Sequence, residues 1–394
     1  MTPRPYQQQA VDAVLADKAS GNPVLVLATG AGKSLVIAEI ANRLHKNILI
    51  LQPTKEILEQ NLEKMLHNIP REEIGVYSAS MSEKTINKYT LATIQSIYTK
   101  PQDFAHFGLV IVDECDLLNP TDTGTMFQSF LDAIGNPRVI GLTATPYRQS
   151  HMTINYGQWN QERVTTTKII TRMKGQRESM FWSRILCNVT MAQLMDAGYL
   201  CRPKYYNNAS LRHDEIPMNK SQSEFDLEAY EKLVQKEEHK VLDAVSRAMA
   251  ISKSVLVFCI SVEQAMRFAL VVKDSAVVSA KTNKTERARI VEGFKTGAIK
   301  TVFNVNCFSV GFDHPALDAL IVTAPTNSIR RWVQMVGRGV RIAEGKEHCK
   351  VIDFSGNLKR FGRVETVQLV KRGALWELTS ETCSNWHGKV LKNY

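Results

Sequence analysis

Short apolar runs alternating with amphipathic stretches constrain this 394-residue chain more than any other feature. A first series comprises "PVLVLA" (23–28), "NILIL" (47–51), "LVIVD" (109–113) and "RVIGLTA" (138–144). A second comprises "SVLVFC" (254–259), "SAVVSA" (275–280), "KTVFNV" (300–305), "DALIVT" (318–323) and "KVIDF" (350–354). Helix-patterned stretches at 34–45, 55–68, 262–273 and 283–295 separate them. A strand that is apolar throughout must be covered on both faces, and helices packed on a parallel sheet do that. The expected fold class is therefore α/β, with two parallel-sheet lobes.

The alternation breaks between about 150 and 250. The mixed, basic segment 151–190 reads as an insertion in or after lobe one, and the polar segment 205–228 as a linker into lobe two. The expected domains are lobe one at 1–199, lobe two at 200–373 and a tail at 374–394. Hydrophobic residues at 44% allow a core of normal size. A formal net charge of +10 is compatible with a polyanionic partner. The longest apolar runs, such as "VLVFCI" at 255–260, are too short to span a membrane. Cysteines at 115, 187, 201, 259, 307, 349 and 383 form no C-x-x-C pair, as expected for a reducing compartment. A soluble, cytoplasmic protein without membrane contact is expected.

"VLVLATGAGKSLVIAEIANRL" places a glycine-rich turn directly between a strand and a helix. Gly30 and Gly32 let the backbone of Thr29, Gly30, Ala31 and Gly32 curl so that its N–H groups point at phosphate oxygens. The N-terminal end of the following helix adds partial positive charge. Lys33 can reach the β- and γ-phosphates of a nucleotide, and the Ser34 hydroxyl can ligate Mg²⁺. Leu27 stands where the full G-x-x-x-x-G-K-[ST] pattern has its first glycine.

"LVIVDECDLL" (109–118) ends an apolar run in three acids around one cysteine. Taken alone, Asp113, Glu114 and Asp116 read equally well as solvated turn residues or as groups placed near something positive. The phosphate loop in the same lobe favours the second reading, because parallel sheets gather ligand sites at the carboxyl ends of their strands. Asp113 would hold nucleotide-bound Mg²⁺, Glu114 would polarise the attacking water, and Asp116 would link the site to neighbouring segments.

From residue 4 to about 357 the chain resembles a superfamily 2 helicase or translocase of the DEAD/DEAH type. It is most similar to the RadD-like branch of DNA repair ATPases, without the cysteine-rich C-terminal extension of its longer members. The resemblance implies two RecA-like lobes of the P-loop NTPase class, with ATP and Mg²⁺ as cofactors. "RPYQQQA" (4–10) resembles an adenine-reading motif, implying Arg4 and Gln7 at the base with Tyr6 nearby. "QPTKEILEQ" (52–60) and "LATIQS" (91–96) resemble motifs that touch the nucleic-acid backbone, implying Pro53, Thr54, Lys55, Thr93 and Gln95. "LTATPYR" (142–148) resembles the motif in which Thr143 and Thr145, with Asp116, couple hydrolysis to strand contacts. "VFNVNCFSVGFDHPALD" (302–318) implies Gly311 and Asp313 at the nucleotide, and "VQMVGRGVR" (333–341) implies Gln334, Arg338 and Arg341 facing the phosphates. Arginine suits that task because its charge is permanent and its planar fork spans several oxygens.

Each motif alone has an ordinary reading as a turn or a charged surface. Their joint occurrence, in order, is what carries the resemblance. Gln334 stands where DEAD-box RNA helicases have His, and motif Ia lacks their "TREL" wording, which by analogy favours a processive, duplex- or strand-tracking ATPase over a local RNA unwinder. The segment 156–184 mixes Arg163, Lys168, Arg172, Lys174, Arg177 and Arg184 with Trp159, Phe181 and Trp182. It reads either as a strand-tracking surface with base stacking or as a solvated basic face over a small core. The expected partner is single-stranded, duplex or forked DNA, with RNA as the rival. A recombination or replication protein is a further expected partner. Two more rivals are a non-hydrolysing scaffold and the motor of a nuclease or restriction complex.

Overall fold

The computed structural model describes residues 2–118, 125–155, 161–170, 181–211, 215–220, 224–305, 314–373 and 375–382. The chain divides into two compact units, one formed chiefly by Met1–Arg148 with Ile169–Thr190, the other chiefly by Met191–Val370.

The first unit carries β1 (Asn22–Leu27), β2 (Ile48–Leu51), β3 (Ile74–Ser78), β4 (Glu83–Lys84), β5 (Tyr89–Ala92), β6 (Leu109–Asp113) and β7 (Arg138–Thr143). Strands β8 (Tyr147–Asn155) and β9 (Gln161–Ile169) pair with each other, and β10 (Trp182–Val189) returns to the main sheet. The sheet order is β10-β1-β7-β6-β2-β5-β3-β4, parallel everywhere except at β4. Val24–Leu27 of β1 and all of β2 and β6 are buried, as the uninterrupted apolar runs require. Helices α1 (Pro5–Ala16), α2 (Lys33–Leu44) and α3 (Lys55–Met65) pack in this unit. Thr54 starts α3 by accepting the amide of Ile57 on its hydroxyl at 3.4 Å.

The register aligns the strand ends that matter. Asp113, the last residue of β6, is paired with Leu142 of β7, and Leu142 with Leu25 of β1. The turn after β1 and the acids after β6 thus leave the same edge of one sheet.

Strand β10 corrects the reading of 151–190 as one basic insertion. It pairs with β1 along its length and closes the sheet. Trp182 is 2% exposed, and Phe181 packs edge-on against it with ring centroids 4.8 Å apart. Arg184 and Arg138 both bond Asp17. Trp182 and Arg184 are structural, not a stacking platform, because an edge strand needs an apolar inner side and its charges find partners. Trp159, Arg172, Lys174 and Arg177 lie outside the described residues. Arg163 and Lys168 are strand residues of β9.

Gly141 explains the cysteine among the acids. A Cβ there would sit 2.7 Å from the Cys115 sulfur and 2.8 Å from the Trp182 ring. Cys115 is fully buried, and burial pushes its thiol well above the usual range, so it packs rather than reacts. Trp182→Ala is expected to destabilise this unit by about 3–5 kcal/mol, read as a lower midpoint in urea unfolding.

The second unit contains β11 (Arg202–Asn207), β12 (Val255–Phe258), β13 (Ser275–Val278), β14 (Thr301–Asn304), β15 (Ala319–Val322) and β16 (His348–Asp353). Their order is β11-β16-β15-β12-β14-β13, parallel throughout. Val255, Val257, Phe268, Phe303 and Ile321 sit at its core. Tyr205, Tyr206 and Asn207 belong to β11 rather than to a linker. As an edge strand β11 is mostly solvated, which is why its sequence reads as polar. Strands β17 (Gln368–Arg372) and β18 (Leu375–Thr379) form a separate pair. Among the described residues no helix is long and apolar enough to cross a membrane.

Candidate active site

The turn between β1 and α2 has the shape its glycines allow. Gly30 and Gly32 have φ of 85° and 76°, left-handed values that favour glycine, and the Ala31 amide donates to the Ala28 carbonyl at 2.9 Å. Lys33 and Ser34 follow in the first turn of α2. The Tyr6 hydroxyl and the Gln7 side-chain N–H both donate to the Ala31 carbonyl, at 3.0 and 2.8 Å. Gln7 also accepts the Arg4 amide at 2.8 Å, and an Arg4 guanidinium N–H lies 3.4 Å from the Tyr6 hydroxyl. Arg4, Tyr6 and Gln7 therefore brace the phosphate loop from α1. Sequence reasoning placed these residues at the base and missed the brace.

The Lys33 ammonium lies 3.0 Å from a Glu114 carboxylate oxygen. Burial acts to lower the Lys33 pKa, but Glu114, Asp113 and Asp116 outweigh it and the net shift is upward. Asp113 is 3% exposed. Burial pushes its carboxyl up to about 6, with Lys33 opposing and Glu114 adding to the rise. Its Oδ1 accepts the Glu114 amide at 2.9 Å and its Oδ2 accepts an Asn61 side-chain N–H at 3.1 Å. Glu114 itself has a left-handed backbone, φ 52°, an uncommon conformation for a residue with a side chain. Backbone strain of this kind clusters where a side chain must be aimed.

Asp116 is a hub. Its two oxygens accept the Thr143 hydroxyl at 2.5 Å and the Thr145 hydroxyl at 3.3 Å, and the Thr145 amide donates to the Thr143 hydroxyl at 3.0 Å. Pro53, Thr54 and Lys55 follow β2, and Thr93 and Gln95 follow β5. The two strands are adjacent, with Leu51 paired to Ala92. These five residues share the edge that holds the phosphate loop. Gln95 is exposed, Thr93 is buried with its hydroxyl 2.9 Å from that of Ser96, and Lys55 pairs with Glu59 at 3.0 Å.

In the second unit Gln334 is buried on the helix Ile329–Val336, and Arg338 and Arg341 follow in a glycine-containing turn. Burial lowers the Arg341 pKa to about 10, and its carbonyl accepts the Lys346 ammonium at 2.7 Å. Gly311 and Asp313 lie outside the described residues.

The donor set fits a hydrated Mg²⁺: a serine hydroxyl and a carboxylate are hard oxygen ligands, and each Asp113 oxygen keeps a lone pair beyond its hydrogen bond. Among the described residues no three His, Cys, Asp or Glu side chains converge as a metal site. An ion held through Ser34 and Asp113 would therefore take its other ligands from phosphate and water. Bound there, it would neutralise charge on the transferring phosphoryl group.

Two family descriptions match the chain, one in each unit: "Type III restriction enzyme, res subunit" over residues 1–148 and "Helicase conserved C-terminal domain" over residues 236–343. Together these two matches support a superfamily 2 helicase. IRC3 of Saccharomyces cerevisiae is 24% identical over 90% of this chain and 51% of its own length. The DNA 3'-5' translocase XPB2 of Sulfurisphaera tokodaii is 24% identical over 86% of this chain and 78% of its own. The chain thus spans about half the length of the first of these relatives. The Type ISP restriction-modification enzyme LlaBIII, solved bound to DNA, superposes with a TM-score of 0.63 over 90% of this chain and 28% of its own, at 16% identity. That likeness supports an α/β fold of two RecA-like lobes.

Proposed function

We propose that this chain is a superfamily 2 helicase or translocase, a nucleic-acid-dependent ATPase that uses hydrolysis to move along or remodel branched DNA. The carrying observation is the Lys33–Glu114 contact of 3.0 Å beside buried Asp113, where phosphate loop and acids meet at one sheet edge. Lys33 binds the terminal phosphates, Ser34 and Asp113 hold Mg²⁺, and Glu114 orients the attacking water once phosphate draws Lys33 away. Arg338 and Arg341 act on transition-state charge, a role supported by their place in "VQMVGRGVR". Contacts from Thr54, Lys55 and Thr93 go to the strand backbone, so binding is independent of sequence and sensitive to salt.

DNA as the track is supported by the DNA 3'-5' translocase activity for which the XPB2 relative is named and by the DNA in the LlaBIII structure. The RadD-like placement, with its repair or recombination role, rests on motif wording alone. The first-unit family description and LlaBIII favour one second reading, the motor of a restriction complex. ATP-driven displacement of a triplex-forming strand from duplex DNA, beside unwinding of forked DNA and matched RNA, tests the proposal. Displacement or unwinding on DNA is expected. Activity on RNA alone overturns the DNA reading, and triplex displacement without unwinding favours the restriction-motor reading.

The hub around Asp116 yields a separate expectation. Asp116→Ala removes the acceptor shared by Thr143 and Thr145, while Lys33, Asp113 and Glu114 remain. ATP turnover should stay within about 10-fold of the parent, while strand displacement per ATP hydrolysed falls much further. Equal losses in the two assays would contradict a coupling role.

A further inference from the structure

Asn61 is a fully buried polar residue that neither the motifs nor the proposed mechanism use. It lies on α3 among Ile57, Leu58 and Met65, the residues that α3 buries, and is 0% exposed. A leucine would suit that stripe on packing grounds alone. Its amide N–H donates to Asp113 Oδ2 at 3.1 Å, an orientation dictated by a carboxylate, which accepts. Its Oδ1 is buried with no hydrogen-bond partner. An amide oxygen left unmet in a buried site is unfavourable, so its place beside the carboxylate proposed to hold the metal calls for an explanation.

We propose that Asn61 is a positioning residue for the metal site. Through its N–H it fixes the Asp113 carboxylate, and its Oδ1 is the acceptor for a water that accompanies the ion. Outer groups of this kind orient ligands and commonly change metal affinity about 10- to 100-fold when removed. Asn61 also sits about 10 Å along α3 from Thr54 and Lys55, two helical turns from the residues assigned to the strand backbone. Were strand binding at Thr54 and Lys55 to displace α3, it would move the group that holds Asp113, so Asn61 is the link by which DNA would change Mg²⁺ affinity. This inference rests on the ATPase reading above.

The test is the binding of a fluorescent ATP analogue to the full chain, titrated with Mg²⁺, with and without single-stranded DNA. Asn61→Leu keeps the branched shape at slightly larger volume and removes both polar contacts. Asn61→Ser, smaller and polar, serves if leucine does not fold, as judged by thermal unfolding. Both are expected to bind the analogue without Mg²⁺ within twofold of the parent. The Mg²⁺ concentration for half-maximal binding should rise about 10-fold or more, and DNA should no longer lower it. In turnover assays the Mg²⁺ requirement should rise more than kcat falls at saturating Mg²⁺. A Mg²⁺ midpoint and DNA response within twofold of the parent overturn the proposal. Asp113→Asn separates the levels: if it too leaves the Mg²⁺ midpoint unchanged, the metal-site reading fails, and the Asn61 role with it.

Discussion

Lys33→Ala and Glu114→Gln are each expected to reduce ATP turnover by about 1,000-fold or more, because both act where charge develops on the transferring phosphoryl group. They should differ in binding. Removal of Lys33 weakens nucleotide binding as well as turnover, since its ammonium is the group aimed at the terminal phosphates. Glu114→Gln should bind ATP about as well as the parent and fail at the chemical step. The two also differ without nucleotide. Lys33 lies 3.0 Å from Glu114, and its charge opposes the rise of the Asp113 carboxyl. Lys33→Ala therefore leaves Asp113, Glu114 and Asp116 without it, and Asp113 should hold its proton to higher pH. Circular dichroism and calorimetry at pH 6 should show both variants folded, and normal turnover in both would contradict the site assignment.

Asp113→Asn is expected to stabilise the nucleotide-free protein while abolishing turnover. Burial raises the Asp113 carboxyl from its ordinary 3.8 to about 6. Between those values the folded chain binds more protons than the unfolded one, so stability falls as pH rises through that window. At pH 7 the buried charge is present and its unfavourable contribution is complete. Asparagine removes it, although its single oxygen can accept from only one of the two N–H groups that now meet Asp113. The net gain should be about 1–2 kcal/mol, a rise of roughly 2–6 °C in melting temperature. Melting curves from pH 5 to pH 8 without Mg²⁺ check both parts. The parent should lose stability across the lower half of that range, and the variant should lose less. A variant that melts below the parent at pH 7 would mean that Asp113 serves structure, not metal binding.

Much of this architecture is written in local pattern. A strand buried on both faces must be apolar along its length, so β1, β2, β6, β12 and β15 were legible as runs. The phosphate loop and "DECD" were legible because their residues follow strand ends directly and need no distant partner. Strands β10 and β11 were not. Each is an edge strand with one solvated side, and "WSRILCNV" and "RPKYYN" carry charges that mask the core-facing positions. The links to Asn61 and to the Ala31 carbonyl depend on how helices pack, which residue spacing along one segment does not encode. One trace was available: Asn61 falls on the apolar stripe of α3, four residues after Ile57 and four before Met65. A polar residue at such a place is a sign of a buried partner.

The most direct test of the central claim is steady-state ATP hydrolysis by the parent and Glu114→Gln, each without nucleic acid and with single-stranded, duplex and forked DNA. The account predicts slow turnover by the parent alone, at least 10-fold stimulation by DNA, and no turnover by the variant under any condition. Parent turnover that DNA does not change, or stimulated turnover that survives in Glu114→Gln, would contradict it.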